Sequence, residues 1–152
     1  MHKWTLAAIA VVAGTVLFPA IAHAEETEAA LAEIGAAWEL PDGWGFQAVS
    51  DAQKEDKYVA LAVNNSIPAQ MYVMSDELGD RELTAIARDS LSVIRYGLFK
   101  TVTAVKCKEG TLSGVEGFRT FGQGTIEGDH EVYATAFGAE KDGRFYVVLA
   151  IA

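Results

Sequence analysis

The sequence predicts an α+β protein: a single antiparallel β-sheet packed by one central amphipathic helix, with a further helix near the N-terminus. Three observations carry this. Residues 80–98 keep a helical apolar period, with Leu83, Ile86, Ala87, Leu91, Ile94 and Leu98 on one face and Arg81, Glu82, Arg88, Asp89 and Arg95 largely elsewhere. The runs after residue 100 alternate apolar and polar residues. The turns between those runs are too short for the crossovers that parallel strands need, so neighbouring strands are antiparallel.

Residues 1–24 read as a secretory signal. Lys3 opens it, an apolar run covers residues 4–18, and Ala22-His23-Ala24 supplies the small-residue exit, so cleavage is expected after Ala24. Pro19 interrupts the run short of the roughly 20 residues of a spanning helix, and no cysteine follows to carry a lipid. The expected product, residues 25–152, is a single α+β domain without membrane insertion, periplasmic or secreted.

Residues 25–37 read as the first helix, with acids in its opening turns and Leu31, Ile34 and Trp38 at helical spacing. Pro41-Asp42-Gly43 makes a turn and leads into Trp44 and Phe46. Two strands follow, with Val59, Leu61 and Val63 opposed to Tyr58, Ala60 and Ala62, then Met71 and Val73 opposed to Tyr72 and Met74. After the central helix, strands are expected at residues 101–108, 118–126, 131–138 and 144–152, with turns at Glu109-Gly110, Glu127-Gly128-Asp129 and Lys141-Asp142-Gly143. The last run is apolar on both faces, so both should be covered, one of them by the first helix or a partner chain.

The formal charge is -9, and since Lys3 leaves with the signal and no acid does, the product carries -10. Without a run of Lys and Arg in the chain, neither a nucleic-acid phosphate backbone nor an anionic lipid surface is an expected partner. Cys107 is the single cysteine, so stability must come from a core; its place in an alternating run suggests a buried structural thiol.

The Leu40-Pro41-Asp42-Gly43-Trp44 turn, the strands, one helix and a meander ending in Asp142-Gly143-Arg144-Phe145-Tyr146 resemble the fold shared by PsbP-like proteins, Mog-type Ran-binding proteins and periplasmic DcrB-like proteins. Those families close with a C-terminal helix where this sequence ends in a strand. The resemblance implies a binding or assembly module without catalytic residues.

Side-chain chemistry points the same way. Alternation sends Asp129 and Glu131 away from His130, so the three do not converge on a metal. Asp76, Glu77 and Asp80 read as capping residues of the central helix and lack the spacing of an EF-hand loop. Gly122-Gln123-Gly124 lacks the helix that a dinucleotide fingerprint requires. Once residues 1–24 are removed, Cys107 and His130 are the only thiol and imidazole left for a thiol hydrolase, the less favoured alternative, and nothing in the local sequence places them together. Trp44, beside its glycine turn, is the one named candidate for an exposed binding contact. The expected function is thus an exported, non-catalytic binding or assembly module with a protein partner, a homodimer being one form, and with no metal or cofactor. A small-molecule carrier with an apolar site between helix and sheet is the alternative.

Overall fold

The computed structural model describes residues 20–83, 85–86, 100–112, 114–126 and 129–152. Its elements are α1 (Ala20–Glu33), β1 (Trp44–Gln47), α2 (Asp51–Glu55), β2 (Tyr58–Asn64), β3 (Gln70–Glu77), β4 (Thr101–Leu112), β5 (Val115–Thr125), β6 (Glu131–Lys141) and β7 (Arg144–Ile151). The strands form one open, seven-stranded antiparallel sheet in the order β1-β2-β3-β7-β6-β5-β4.

Two meanders make this order. The first runs β1 to β3. The second starts at the far edge with β4 and returns through β5 and β6, and β7 then pairs with β3 from Gln70↔Ile151 to Glu77↔Arg144. The β6–β7 turn explains the close register: Asp142 and Gly143 both take positive φ, at 54° and 75°, the two-residue geometry whose twist matches that of the flanking strands.

Alternation along β7 separates two cores. Phe145, Val147, Leu149 and Ile151 join Leu61, Tyr72, Leu78, Ile86 and the β6 residues Val132, Ala134 and Ala136 on one face. On the other, Leu31 of α1 packs with Phe46, Ala60, Ala62 and Val73, and Val148 packs against that cluster. The first helix thus packs over β1 and β2 and its cluster reaches β7 at Val148, so this face of β7 is half-buried where the other is buried. Ala60 and Ala62 are fully buried, and their small side chains let α1 approach the sheet.

Several elements differ from expectation. The first helix begins before residue 25 and ends at Glu33, four residues early, because Gly35 adopts φ +71°. The Gly35 N–H donates to Ala32 O at 3.0 Å and the Ala36 N–H to Leu31 O at 2.9 Å, a Schellman stop. It leaves the carbonyl of Ile34 to accept the Tyr146 hydroxyl at 2.6 Å, tying the helix end to β7. In β2 a bulge between Tyr58 and Ala60 breaks the expected alternation. Tyr58 thereby packs with the Leu61 cluster and Val59 with the Leu31 cluster. The turn expected at Glu109-Gly110 is continuous strand, with Gly110 paired to Gly117, and the chain reverses beside Gly114 at φ +80°. Helix α2 was not expected, although Ser50 and Gln53 form a capping box in which each side chain binds the other's backbone N–H.

The central helix expected at residues 80–98 falls largely outside the described residues. Its described beginning is helical at Leu83, Ala85 and Ile86, and Ile86 is buried in the first core. Arg81 fixes the approach: it donates to the carbonyls of Leu78 and Glu77, pairs with Asp76 at 3.6 Å, and lies 5.0 Å from the Phe145 ring centre.

Candidate functional site

Antiparallel partners share a face, so the pairing can be followed across the sheet. One row runs Lys108, Arg119, Phe137, Val148, Val73, Ala60. At its Ala60 end the row lies under α1. Its Lys108 and Arg119 end is exposed, and so is the neighbouring row of Lys106, Phe121 and Thr135. The same face of one sheet is thus covered over β1, β2 and β3 and open over β4, β5 and the first half of β6, where Glu131, Tyr133 and Thr135 are exposed, while Phe137 and Ala139 further along β6 are buried.

The open half is unusual in two respects. Five large hydrophobic residues are strongly exposed among the described residues, and four of them lie here: Leu112 and Val115 at 41%, Phe121 at 38% and Tyr133 at 45%. Cations surround them. Lys106, Lys108, Arg119 and Lys141 are exposed on this face and form no ion pair among the described residues. Glu109, Glu116 and Glu140 sit at register positions of the opposite face. Glu131 is the acid on the open side, and its carboxylate accepts from Gln123 at 2.7 Å.

Local contacts hold this surface in shape. The Phe121 and Tyr133 rings lie 6.3 Å apart at 38°, and Gln123 also donates to the Tyr133 hydroxyl at 3.2 Å. Thr135 donates to the carbonyl of Thr120 at 2.9 Å. A Cβ at Gly117 would stand 2.1 Å from the carbonyl oxygen of Gly138 and 3.0 Å from the Phe137 ring. Only glycine leaves room there for the neighbouring strand and that ring.

The residues singled out in the sequence fall elsewhere. Trp44 is half-buried against the cluster beneath α1, at the far edge of the covered half, with Gly43 at φ +83° before it. Cys107 is exposed rather than buried, because β4 is the sheet edge and covers it from one side alone. It pairs with Thr120, whereas exposed His130 follows the turn beyond Thr125. Five residues of β5 separate the two levels, roughly 17 Å, so the structure does not bring thiol and imidazole together. Asp76 ends β3 and pairs with Lys57 at 3.8 Å and with Arg81, instead of capping the central helix. Among the described residues no cluster of His, Cys, Asp and Glu could hold a metal ion.

Two cavities border α1. One, about 30 Å³ and lined by Thr27, Ala30, Val49 and Val59, has room for about one water. The other is an open cleft of about 260 Å³ between the end of α1 and the β6–β7 turn, lined by Glu33, Ile34, Lys141, Asp142, Arg144 and Tyr146. In the opposite core Tyr58 and Tyr72 meet edge to face at 5.5 Å. Burial, and then the charge of Tyr58, push the Tyr72 phenol up to about 12; burial and then Asp56 raise that of Tyr58. Tyr72 donates to Gln70 at 2.6 Å, a packing role.

No family model and no curated protein matches the chain. Among solved structures it is similar to LpqN of Mycobacterium tuberculosis, a protein involved in cell envelope biogenesis. The TM-score is 0.55 at 13% identity, over 76% of this chain and 69% of LpqN. A second match is PA94, a Pseudomonas aeruginosa protein of unknown function, with a TM-score of 0.42 at 13% identity over 76% and 72% of the two chains. The LpqN likeness is one of fold, an α+β arrangement on an antiparallel sheet. Among the described residues no helix is long and apolar enough to cross a membrane. The open cationic face went unseen in the sequence because Lys106, Lys108 and Arg119 become neighbours only through strand pairing; the alternation of Lys106 and Lys108 with apolar Val105 and Cys107 was its one local signal.

Proposed function

We propose that the chain is an exported, non-catalytic binding or assembly module of the cell envelope, and that it engages a protein partner through the open half of its sheet. The observation that carries this reading is the exposed, mutually packed pair Phe121 and Tyr133 on one uncovered face, with exposed Leu112 and Val115 roughly 20 Å further along it. Such apolar patches mark interaction surfaces, and aromatic residues beside Arg are the usual anchors of protein interfaces. The likeness to LpqN, involved in cell envelope biogenesis, supports an envelope setting, and the resemblance to PsbP-like and DcrB-like modules supports a role without catalysis. The signal at residues 1–24 supplies the route of export. Trp44 remains a secondary contact at the other edge.

Native mass spectrometry of the chain recovered gently from the export compartment tests the reading. The expected result is a protein adduct or dimer that the Phe121→Asp substitution abolishes while the fold, followed by circular dichroism, stays intact. A retained small-molecule mass, or an adduct that survives the substitution, contradicts it.

A further inference from the structure

Charge is sorted across the β4–β5–β6 half of the sheet: Lys106, Lys108 and Arg119 on the open face, Glu109 and Glu116 on the other. We infer that the open face receives an extended acidic polypeptide segment of the partner; this rests on the docking role proposed above. Lys106 and Lys108 are two residues apart on one strand, so their side chains repeat at roughly 7 Å, and Arg119 lies beside Lys108 on the next strand. An extended segment with acids at alternate positions carries negative charge at that same interval. An apolar residue at the end of the segment, on the same side as the acids, would meet Phe121, which pairs with Lys106 and touches Tyr133.

Other occupants fit less well. Face-to-face packing of a second copy would bring one cation-rich face against another. A planar anionic bilayer extends past the patch and is repelled by the rest of a chain whose formal net charge is -9. A narrow segment meets the cations alone.

The test is fluorescence anisotropy of the folded chain with a labelled ten-residue peptide of alternating Glu and Tyr, beside its counterpart with Lys in place of Glu. Saturable binding of the Glu peptide is expected, weakened at least tenfold by the double substitution K106E/K108E, several-fold by Arg119→Ala, and steeply by added salt. The double substitution E109Q/E116Q should leave it unchanged or tighten it. Unchanged thermal midpoints show that these surface variants fold. Equal affinity for the Lys peptide, or indifference to K106E/K108E, overturns the inference. So does binding to phosphatidylglycerol vesicles at lower concentration than to the peptide. If those results came while Phe121→Asp still abolished the native protein adduct, the docking role would stand and the acidic class of partner would fall.

Discussion

Beneath α1 the sheet offers Phe46, Ala60, Ala62 and Val73, and on the far side of β7 the same face offers Lys106, Lys108, Arg119, Phe121 and Tyr133. Small buried alanines let a helix lie close and exclude water. Long cations interleaved with rings cannot be covered by a helix of the same chain without desolvating unpaired charge. The side chains therefore divide one continuous face into a part that contributes stability and a part to which the proposed function assigns recognition. Stability and binding should then be separable by mutation, one half at a time.

The largest contrast is expected between Leu31 and Phe121. Leu31 is 1% exposed at the centre of the covered half, so Leu31→Ala should cost about 2–5 kcal/mol in urea unfolding. Phe121→Ala on the open half should cost less than about 1 kcal/mol. Comparable losses would break the division. Gly117→Ala sharpens it from another side: the added methyl would overlap the Gly138 carbonyl, with a loss of about 3 kcal/mol and faster amide exchange in β5 and β6. A loss of that size would show the open half to be rigid though uncovered, and an unaffected variant would show that it yields easily. Tyr146→Phe removes the hydroxyl that holds the end of α1 and should cost about 1 kcal/mol, with exchange quickening in the last turn of the helix and not in β5.

The smallest effect lies in the opposite core. The Tyr72 phenol is raised to about 12 from its ordinary 10. A raised pKa means that the folded state keeps the proton longer than the unfolded one. The contribution of Tyr72 to stability is thus fully present below pH 10 and declines as pH rises from 10 through about 12. Phenolate absorbance should show a late-titrating step that Tyr72→Phe removes, while binding on the open face is unaffected. A titration unchanged by Tyr72→Phe would contradict this.

Where local chemistry decided the outcome, the sequence was a sufficient guide. Asp142-Gly143 took its expected hairpin and Pro41-Asp42-Gly43 its turn, while the two-sided pattern of β7 is met by full burial on one face and half burial on the other. Gly35 was the legible stop for α1 but lost to the longer apolar spacing of Ile34 and Trp38. Ser50 and Gln53 were a readable capping box. Glu109-Gly110 misled because a glycine pair, Gly110 with Gly117, can continue a ladder as well as turn it. The bulge after Tyr58 and the exposure of Cys107 depend on which strand lies alongside, which alternation alone does not encode. The same holds for the candidate site, where charges scattered over β4 and β5 acquire meaning only in the paired register.

The most direct test places a photo-crosslinking phenylalanine analogue in the chain expressed in its own host, at position 121 in one strain and at Ile67 in another. Among the described residues Ile67 is the exposed large hydrophobic residue outside the open half, at 55%. A discrete protein adduct at 121 and none at 67 is the predicted result. Adducts at both positions in equal yield, or at 67 alone, would contradict the assignment of the open half as the binding surface.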